Sequence, residues 1–373
     1  MTGRPRSTNG AWRRRSSASG RHHVADAATT PVRAGMGFDE AALTAWLTDY
    51  VEGFSGPLQV AQFSGGQSNP TYRLTTPAAC YVLRRKPPGP LLKGAHDILR
   101  EARVMAGLAG TPVPVPSVLA ICEDPGVVGT PFFVMAMVEG RIFWDAGFRE
   151  VARPDRAAYF DAMNAAMAAL HGVDPAAAGL ADFGRAGNYF ERQIARWSAQ
   201  YRDDDLVGRD ANMDALVEWL PGAIPAGEET RIVHGDFRCD NMIFYPSRPE
   251  VIAILDWELA TLGHPLADFA YHAMMYRMPG DIVAGIGGLD PHDLGLPSET
   301  EYVAAYCSRT GRSEIADWEF YIAFNLFRLA AIFHGIKGRV LRGNAVSEQA
   351  SERAANFPRL AMLAKDAMDR CNA

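Results

Sequence analysis

Two segments near the middle of the chain carry the residue types that phosphoryl transfer requires. The first, from His234 to Asn241, places Asp236 five positions before Asn241, and the second places Asp256 at the end of an apolar run. Transfer of a phosphoryl group from ATP needs a carboxylate that orients the attacking hydroxyl, and oxygen ligands for the metal ions that bridge the phosphates. We therefore predict that Asp236 is catalytic and that Asn241 and Asp256 bind Mg²⁺.

The residues between these segments predict a hairpin that would bring the two metal ligands together. Residues 242–244 and 251–255 have the apolar, β-branched composition of strands, and a turn with two prolines separates them. Such a hairpin carries Asn241 at one end and returns Asp256 beside it. Two side chains suffice for Mg²⁺, because this ion takes few protein ligands in addition to phosphate oxygens.

The loop around Asp236 also matches a known pattern. It reads HGDFRCDN, and its Asp-to-Asn spacing equals that of the protein-kinase catalytic loop, with HGD where protein kinases have HRD. From about Phe38 to near the C-terminus, the chain resembles the aminoglycoside phosphotransferase family, also called the choline-kinase-like phosphotransferases. The segments YVLRRKPPG, PVPVPSVLAICED, NYFERQIARW and WELATLGHPLADFAY look closest to the branch related to the kinase domain of some acyl-CoA dehydrogenase fusion proteins.

This resemblance implies an α+β, protein-kinase-like fold of two lobes. The small N-lobe has an antiparallel sheet and binds the nucleotide, and the larger C-lobe is mostly helical. We place the N-lobe at residues 36–137 and the C-lobe, with the catalytic loop and the acceptor site, at residues 138–373. Residues 1–35 contain seven arginines and one acid, which is typical of a disordered basic tail. A nucleic-acid-binding arm is the alternative for this segment, and Met36 is a second candidate start of translation.

The resemblance also implies which N-lobe residues bind the nucleotide. Ser68 lies in a glycine-bearing turn, 64–69, whose backbone N–H groups would cover the phosphates. Arg84 is the cation of the third strand, with Lys86 on the same face as the alternative, and Glu101 on the next helix is its ion-pair partner. Backbone groups from about Met135 to Met137 would hydrogen-bond the base.

Four more polar residues near these motifs have predicted roles. By the resemblance, Asp268 anchors the catalytic loop by accepting backbone N–H bonds. Glu258 is either a further ligand of the metal or an indirect support for it. His264 is interpreted as a polar loop residue, with substrate contact as the alternative, and His171 as structural.

Composition excludes several classes of protein. The net charge of −6 gives no support to a nucleic-acid or membrane-surface role, and no apolar run approaches the roughly 18 residues of a membrane span. The five cysteines lack metal-ligand spacing and are typical of free thiols in a reducing cytoplasm. The sequence does not specify an oligomeric state.

Together these features predict a cytoplasmic kinase that transfers the γ-phosphoryl group of ATP or GTP to a hydroxyl of a small metabolite. The acyl-CoA dehydrogenase branch suggests a hydroxyacyl acceptor. An aminoglycoside is the alternative acceptor, and as a polycation it would need an acidic pocket, for which Asp203–Asp205 is the candidate run. A nucleotide-binding regulatory module without catalysis is the alternative of a different class.

Overall fold

The two predicted lobes are present in a computed structural model that describes residues 29–64, 69–89, 97–283, 285–344 and 348–372. The N-lobe is a six-stranded antiparallel sheet with three helices, and its strands lie in the order β1-β2-β3-β4-β6-β5. The strands are β1 (Thr29–Thr30), β2 (Gln59–Phe63), β3 (Thr71–Thr75), β4 (Cys80–Arg85), β5 (Val118–Cys122) and β6 (Phe132–Ala136). The helices are α1 (Glu40–Tyr50), α2 (Ile98–Leu108) and α3 (Pro125–Val128).

The first strand lies earlier in the chain than the sequence predicts. Thr29 and Thr30 pair with Phe63 and Gln62 of β2. The predicted tail, 1–35, is therefore wrong for its last seven residues, 29–35, while residues 1–28 lie outside the described part of the chain. Edge-strand pairing depends on backbone groups, so the polar composition of this segment did not reveal it.

Arg85 ties the N-terminal segment to the sheet. Its guanidinium is buried and donates to the carbonyl oxygens of Met36, at 2.9 Å, and Val128, at 2.7 Å. The same group lies over the rings of Phe38 and Tyr72, with centroid distances of 5.2 and 5.4 Å. Carbonyl dipoles and aromatic faces compensate the buried charge here. Arg85 therefore has different partners from Arg84, which pairs with Glu101 and Asp256.

The C-lobe surrounds two small antiparallel pairs of strands with helices. The pairs are β7 (Arg231–Val233) with β10 (Thr261–Gly263), and β8 (Met242–Phe244) with β9 (Val251–Ile254). The helices are α4 (Arg156–Gly172), α5 (Tyr189–Arg202), α6 (Ala211–Trp219), α7 (Pro265–Ala273), α8 (Pro291–Leu294), α9 (Glu299–Thr310), α10 (Trp318–Leu341) and α11 (Glu348–Cys371). The pair β8–β9 is the hairpin predicted from the sequence.

Helix α10 forms the centre of the C-lobe. Its middle turns are apolar on nearly every side, including Ile322, Phe324, Leu326 and Ala330, which are fully buried. A helix that is apolar all round must be enclosed by other elements, and α10 packs against α5, α7 and α11. Each fully buried large side chain contributes about 1.5–3 kcal/mol of burial free energy. This packing fixes the position of α7, whose Asp268 and Tyr271 contact the loop at residues 234–241.

Two general predictions can be compared with the described residues. All five cysteines are unpaired, as predicted. Within the described ranges, no helix combines the length and the apolar character needed to cross a membrane.

Candidate active site

The loop that follows β7 is held by one buried carboxylate. Asp268 accepts hydrogen bonds from the backbone N–H groups of His234, at 2.7 Å, and Gly235, at 2.8 Å. Burial alone would raise the pKa of Asp268, but the bonds from His171 and the His234 backbone hold it below its usual value. The predicted anchoring of the loop by Asp268 is therefore confirmed. His171 also bonds the hydroxyl of Tyr306 at 2.7 Å, which agrees with its predicted structural role.

Gly235 explains why this loop reads HGD and not HRD. Its φ is +82°, in the left-handed region that favours glycine, and an added Cβ would lie 2.9 Å from the carbonyl oxygen of Leu259. The neighbouring His234 is fully buried, with Nε2 2.9 Å from the Leu255 carbonyl oxygen. Its Nδ1 accepts the backbone N–H of Asp236, which leaves Nε2 to donate to the Leu255 carbonyl oxygen.

Asp236 is held at both carboxylate oxygens. The Tyr271 hydroxyl donates to Oδ1 at 2.6 Å, and the Asn241 amide donates to Oδ2 at 3.1 Å. Nε of Arg238 lies 3.8 Å from Oδ1, and about a quarter of the Asp236 side chain, 26%, is exposed. A fixed carboxylate that is still open to solvent can accept a hydrogen bond from a hydroxyl brought beside it.

The hairpin brings the two predicted metal ligands together. Asn241 directly precedes β8, and Asp256 follows β9 by two residues. The Leu255 N–H donates to the Asn241 carbonyl oxygen at 2.8 Å, and Met242 pairs with Ile254. Asp256 has a φ of 62°, an uncommon conformation for a residue other than glycine, and about a third of its side chain, 34%, is exposed.

Arg84 connects the N-lobe to this hairpin. Its Nε lies 2.8 Å from Glu101 Oε2, and its Nη2 lies 2.6 Å from Asp256 Oδ1. The ion pair predicted between Arg84 and Glu101 is thus confirmed, and it is Arg84 that makes these contacts, whereas Lys86 follows the end of β4. Burial would lower the pKa of Arg84, but the two carboxylates raise it, so the guanidinium stays charged.

Glu101 is almost completely buried in this ion pair. Burial raises its pKa to about 7, although the Arg84 guanidinium acts to lower it. Glu258, in the 3₁₀ turn Trp257–Leu259, adds negative charge near both Arg84 and Glu101. Its predicted role at the metal stays a prediction.

The remaining predicted nucleotide contacts are Ser68 and the backbone from about Met135 to Met137. Residues 65–68 of the predicted turn at 64–69, which include Ser68, lie outside the described residues. Met135 lies in β6, and Met137 follows that strand and packs against the main hydrophobic core, which includes residues of both lobes. The backbone contacts predicted for 135–137 stay a prediction.

His264 is a structural residue of the loop before α7. Its Nδ1 accepts the backbone N–H of Leu266, its ring stacks on Tyr321, and burial lowers its pKa to about 4. These contacts support the interpretation of His264 as a polar loop residue.

Three residues that the sequence did not single out make contacts at the loop, two of them from outside it and one, Arg238, from within it. Tyr271 bonds Asp236 directly, and Arg238 pairs with Asp240 beside it. Arg328 of α10 donates to the Gly235 carbonyl oxygen at 3.2 Å. Tyr271 could have been found, because it lies three positions after Asp268 and so shares a face of α7 with it. Arg328 is 93 positions from Gly235, and no local pattern indicates the contact.

A narrow apolar cavity opens beside the residues that contact Asp236. Tyr271 and Arg238 form one wall, and the rest is largely methionine and aromatic side chains. The lining residues are Ala146, Phe148, Met163, Arg238, Cys239, Asp240, Tyr271, His272, Met274, Met275, Met278 and Val283. Another cavity lies at the opposite end of β7 and β10, around Asn188, Glu228 and His264, away from Asp236.

Comparison with known proteins shows the family of this chain. The sequence profile of the Phosphotransferase enzyme family matches residues 59–321. Acyl-CoA dehydrogenase family member 10 from Mus musculus is 42% identical over 347 residues, which cover 92% of this chain and 32% of that protein. Family member 11 from Gallus gallus is 40% identical over 336 residues, covering 87% and 43%. The chain therefore spans less than half the length of these relatives.

Solved structures share the fold. A crystal structure from Ralstonia eutropha JMP134, provisionally described as an aminoglycoside phosphotransferase, is 47% identical, has a TM-score of 0.83, and is matched over 89% of this chain and 99% of that one. The aminoglycoside phosphotransferase APH(4)-Ia, in a complex with ADP and hygromycin B, is 15% identical with a TM-score of 0.57, over 87% and 97% of the two chains.

The lobes, the loop and the fold neighbours define a phosphotransferase of the small-molecule kinase type. The family profile covers more than half of the sequence, and the chain belongs to the Phosphotransferase enzyme family.

Proposed function

We propose that this chain is a cytoplasmic small-molecule kinase that transfers the γ-phosphoryl group of ATP, or GTP, to a hydroxyl of a small metabolite. The observation that carries the proposal is the single cluster formed by the loop and the hairpin. In it, Asn241 bonds Asp236 and Arg84 bridges Glu101 and Asp256. Phosphoryl transfer depends mainly on positioning and on charge stabilisation, and this cluster offers both.

Each residue of the cluster has one proposed task. The acceptor hydroxyl donates to Asp236 and attacks the γ-phosphorus, while the bond to the β,γ-bridging oxygen breaks and the nucleoside diphosphate leaves. The hydroxyl proton passes to the Asp236 carboxylate. Arg84, held by Glu101, neutralises negative charge on the phosphates.

The chain also fits a bound Mg²⁺. The oxygens of Asn241 and Asp256 are hard donors, and Mg²⁺ takes one or two such protein groups when phosphates supply the rest. Bound Mg²⁺ would screen the charge of the phosphate oxygens.

For the acceptor, we favour a hydroxyacyl compound. The cavity beside Tyr271 and Arg238 has a volume of only about 30 Å³, but its lining is mostly apolar and contains four methionines, flexible side chains that would have to move to admit a hydrocarbon chain. Curated relatives are acyl-CoA dehydrogenase family members, which is consistent with acyl chemistry. Asp204, in the acidic run considered for a polycation, is paired with Arg342 at 2.5 Å. One of the three carboxylates of that run is therefore already paired within the chain.

An aminoglycoside is the second candidate acceptor. The structure from Ralstonia eutropha, 47% identical, carries that provisional description. A non-catalytic nucleotide-binding module is disfavoured, because Asp236, Asn241 and Asp256 are all retained.

The deciding experiment is a screen of acceptors by Mg²⁺-dependent ADP formation. The panel contains hydroxy acids, hydroxyacyl-CoA thioesters, simple sugars and alcohols, and aminoglycosides including hygromycin B. We expect hydroxyacyl compounds to stimulate ADP formation and to gain one phosphoryl group by mass spectrometry, and Asp236→Asn to abolish both signals. If only aminoglycosides stimulated ADP formation, the acceptor would be an aminoglycoside and not a hydroxyacyl compound. No phosphorylation of any acceptor, with nucleotide still bound, would favour the regulatory module.

A further inference from the structure

A tyrosine of α7 makes the shortest hydrogen bond to the proposed catalytic carboxylate. The Tyr271 hydroxyl lies 2.6 Å from Asp236 Oδ1, and the side chain is buried between α7 and the loop. Burial raises the pKa of Tyr271, and the neighbouring Asp236 carboxylate raises it further. The phenol therefore stays protonated near neutral pH, so that it donates a hydrogen bond and does not compete for the acceptor's proton.

Tyr271 is itself held on two sides. Arg328 of α10 places its guanidinium 5.4 Å from the centre of the Tyr271 ring and donates to the Gly235 carbonyl oxygen at 3.2 Å. Asp268, one turn earlier on α7, binds the backbone N–H groups of His234 and Gly235. Arg328 thus contacts both the Tyr271 ring and the loop, and Asp268 connects α7 to the same loop.

These contacts determine how Asp236 can turn. Asn241 holds Oδ2 and Tyr271 holds Oδ1, so rotation of the carboxylate about χ2 breaks at least one hydrogen bond. The χ2 torsion of an aspartate is otherwise broad. A displacement of about 1 Å in a reacting group can lower a rate about 100-fold.

We propose that Tyr271 is a positioning residue for Asp236 and that Arg328 keeps Tyr271 in place. The inference rests on the proposed function, since it assigns Asp236 to the acceptor hydroxyl. Tyr271 acts on nucleotide turnover through Asp236, so its loss lowers kcat without changing nucleotide binding.

The test uses the full chain with Mg²⁺ and ATP, with water as the acceptor. ATP and water then give ADP, phosphate and a proton, and water takes the place of the acceptor hydroxyl beside Asp236. Tyr271→Phe removes one hydroxyl and keeps the ring. Tyr276→Phe is the matched control, because it removes another buried tyrosine hydroxyl from the same region, one that donates to the Pro297 carbonyl oxygen at 3.0 Å.

We expect Tyr271→Phe to lower kcat about 10- to 100-fold, with the KM and the calorimetric Kd for ATP unchanged within about twofold. Tyr276→Phe should keep both constants within about twofold of the wild type. Arg328→Met should lower kcat in the same way, and Arg328→Lys, which retains a cation and a donor, should restore part of the loss. Melting temperatures identify any variant that fails to fold. If Tyr271→Phe does not fold, the kcat values of Arg328→Met and Arg328→Lys test the proposal in its place.

Three outcomes separate the hypotheses. Suppose that the wild type is active, that Asp236→Asn is inactive, and that Tyr271→Phe and Tyr276→Phe have equal kcat values. That result would overturn the proposed role of Tyr271 and leave the proposed function intact. A parallel rise in KM and Kd would mark Tyr271 as a residue of the nucleotide site and overturn the inference. Absence of ADP formation by the wild type, both with water and with the acceptor panel, would overturn the proposed function and this inference with it.

Discussion

At the scale of single residues, the proposed function assigns Asp236 to the acceptor and Asp256 to the nucleotide and its metal. Asp236 contacts Tyr271 and Asn241, whereas Asp256 contacts the N-lobe cation Arg84. Because these contacts differ, the two aspartates should fail in different ways when they are replaced.

Replacement of Asp236 by alanine should affect chemistry and spare nucleotide binding. We expect kcat to fall about 100- to 10,000-fold, because a positioned base contributes about that much, while the Kd for ATP stays the same. The measurement is ADP formation together with titration calorimetry. Full activity would remove Asp236 from the mechanism, and lost ATP binding in a folded protein would place it in the nucleotide site.

Replacement of Asp256 by asparagine should weaken ATP binding when Mg²⁺ is present but not when it is absent. The carboxylate is the main anionic ligand that the chain offers the metal, so ATP affinity in Mg²⁺ should fall. Without Mg²⁺ the affinity should be equal to or higher than that of the wild type, because Arg84 is released from one of its two carboxylates. Calorimetry with and without Mg²⁺ measures both effects. Unchanged affinity in Mg²⁺, with continued turnover, would show that the metal assignment is wrong.

At the scale of elements, Arg100, the neighbour of Glu101 on α2, connects this helix to the C-lobe. Arg100 donates to the carbonyl oxygens of Phe183 and, at 3.1 Å, of Ala260, and its guanidinium lies 3.8 Å from the centre of the Phe183 ring. Ala260 closes the turn that follows Asp256. The helix that carries Glu101 and the turn that carries Asp256 are therefore coupled through one side chain.

Arg100→Ala should loosen this coupling. Loss of the two hydrogen bonds should lower the free energy of unfolding by about 1–3 kcal/mol. It should also raise the KM for ATP, because Glu101 would no longer hold Arg84 in place. Urea denaturation and steady-state kinetics provide the two measurements.

The matched control for this prediction is Arg103→Ala on the same helix. Arg103 pairs with the exposed Asp182, and such surface pairs contribute little. If both variants raised the KM equally, the coupling through Arg100 would be refuted.

At the scale of the whole molecule, buried neutral histidines should make the C-lobe sensitive to acid. Burial lowers the pKa of His264 and of His272 to about 4, from 6.5. The unfolded chain then binds more protons than the folded chain below pH 6.5. The stability from each histidine is fully present above that pH and is lost as the pH falls through about 4.

We expect the free energy of unfolding to fall by roughly 3 kcal/mol per histidine between these limits. Urea denaturation across this pH range measures the slope. His264→Asn retains a side chain suited to begin α7 and removes one titrating group, so its slope should be shallower than that of the wild type. An identical slope would show that His264 is protonated in the folded protein.

The sequence alone determined the parts of the site that depend on short spacing. The Asp236–Asn241 loop and the hairpin that returns Asp256 follow local patterns, whereas the pairing of Arg84 with Glu101 was implied by the family resemblance. The loop and the hairpin are encoded within a few dozen residues, where periodicity and turn residues constrain the backbone strongly.

Only the tertiary structure decided which distant side chains complete the site. Arg328 reaches Gly235 from 93 positions away, Arg85 contacts Met36 from 49, and β1 joins the sheet across 32 to 34 positions. No local pattern determines such contacts, because they depend on how α10, α7 and the sheet pack against one another. The same packing places Tyr271 on Asp236. The physical reason is that hydrogen bonds and ion pairs depend on distances of a few ångströms, which only the packed chain defines.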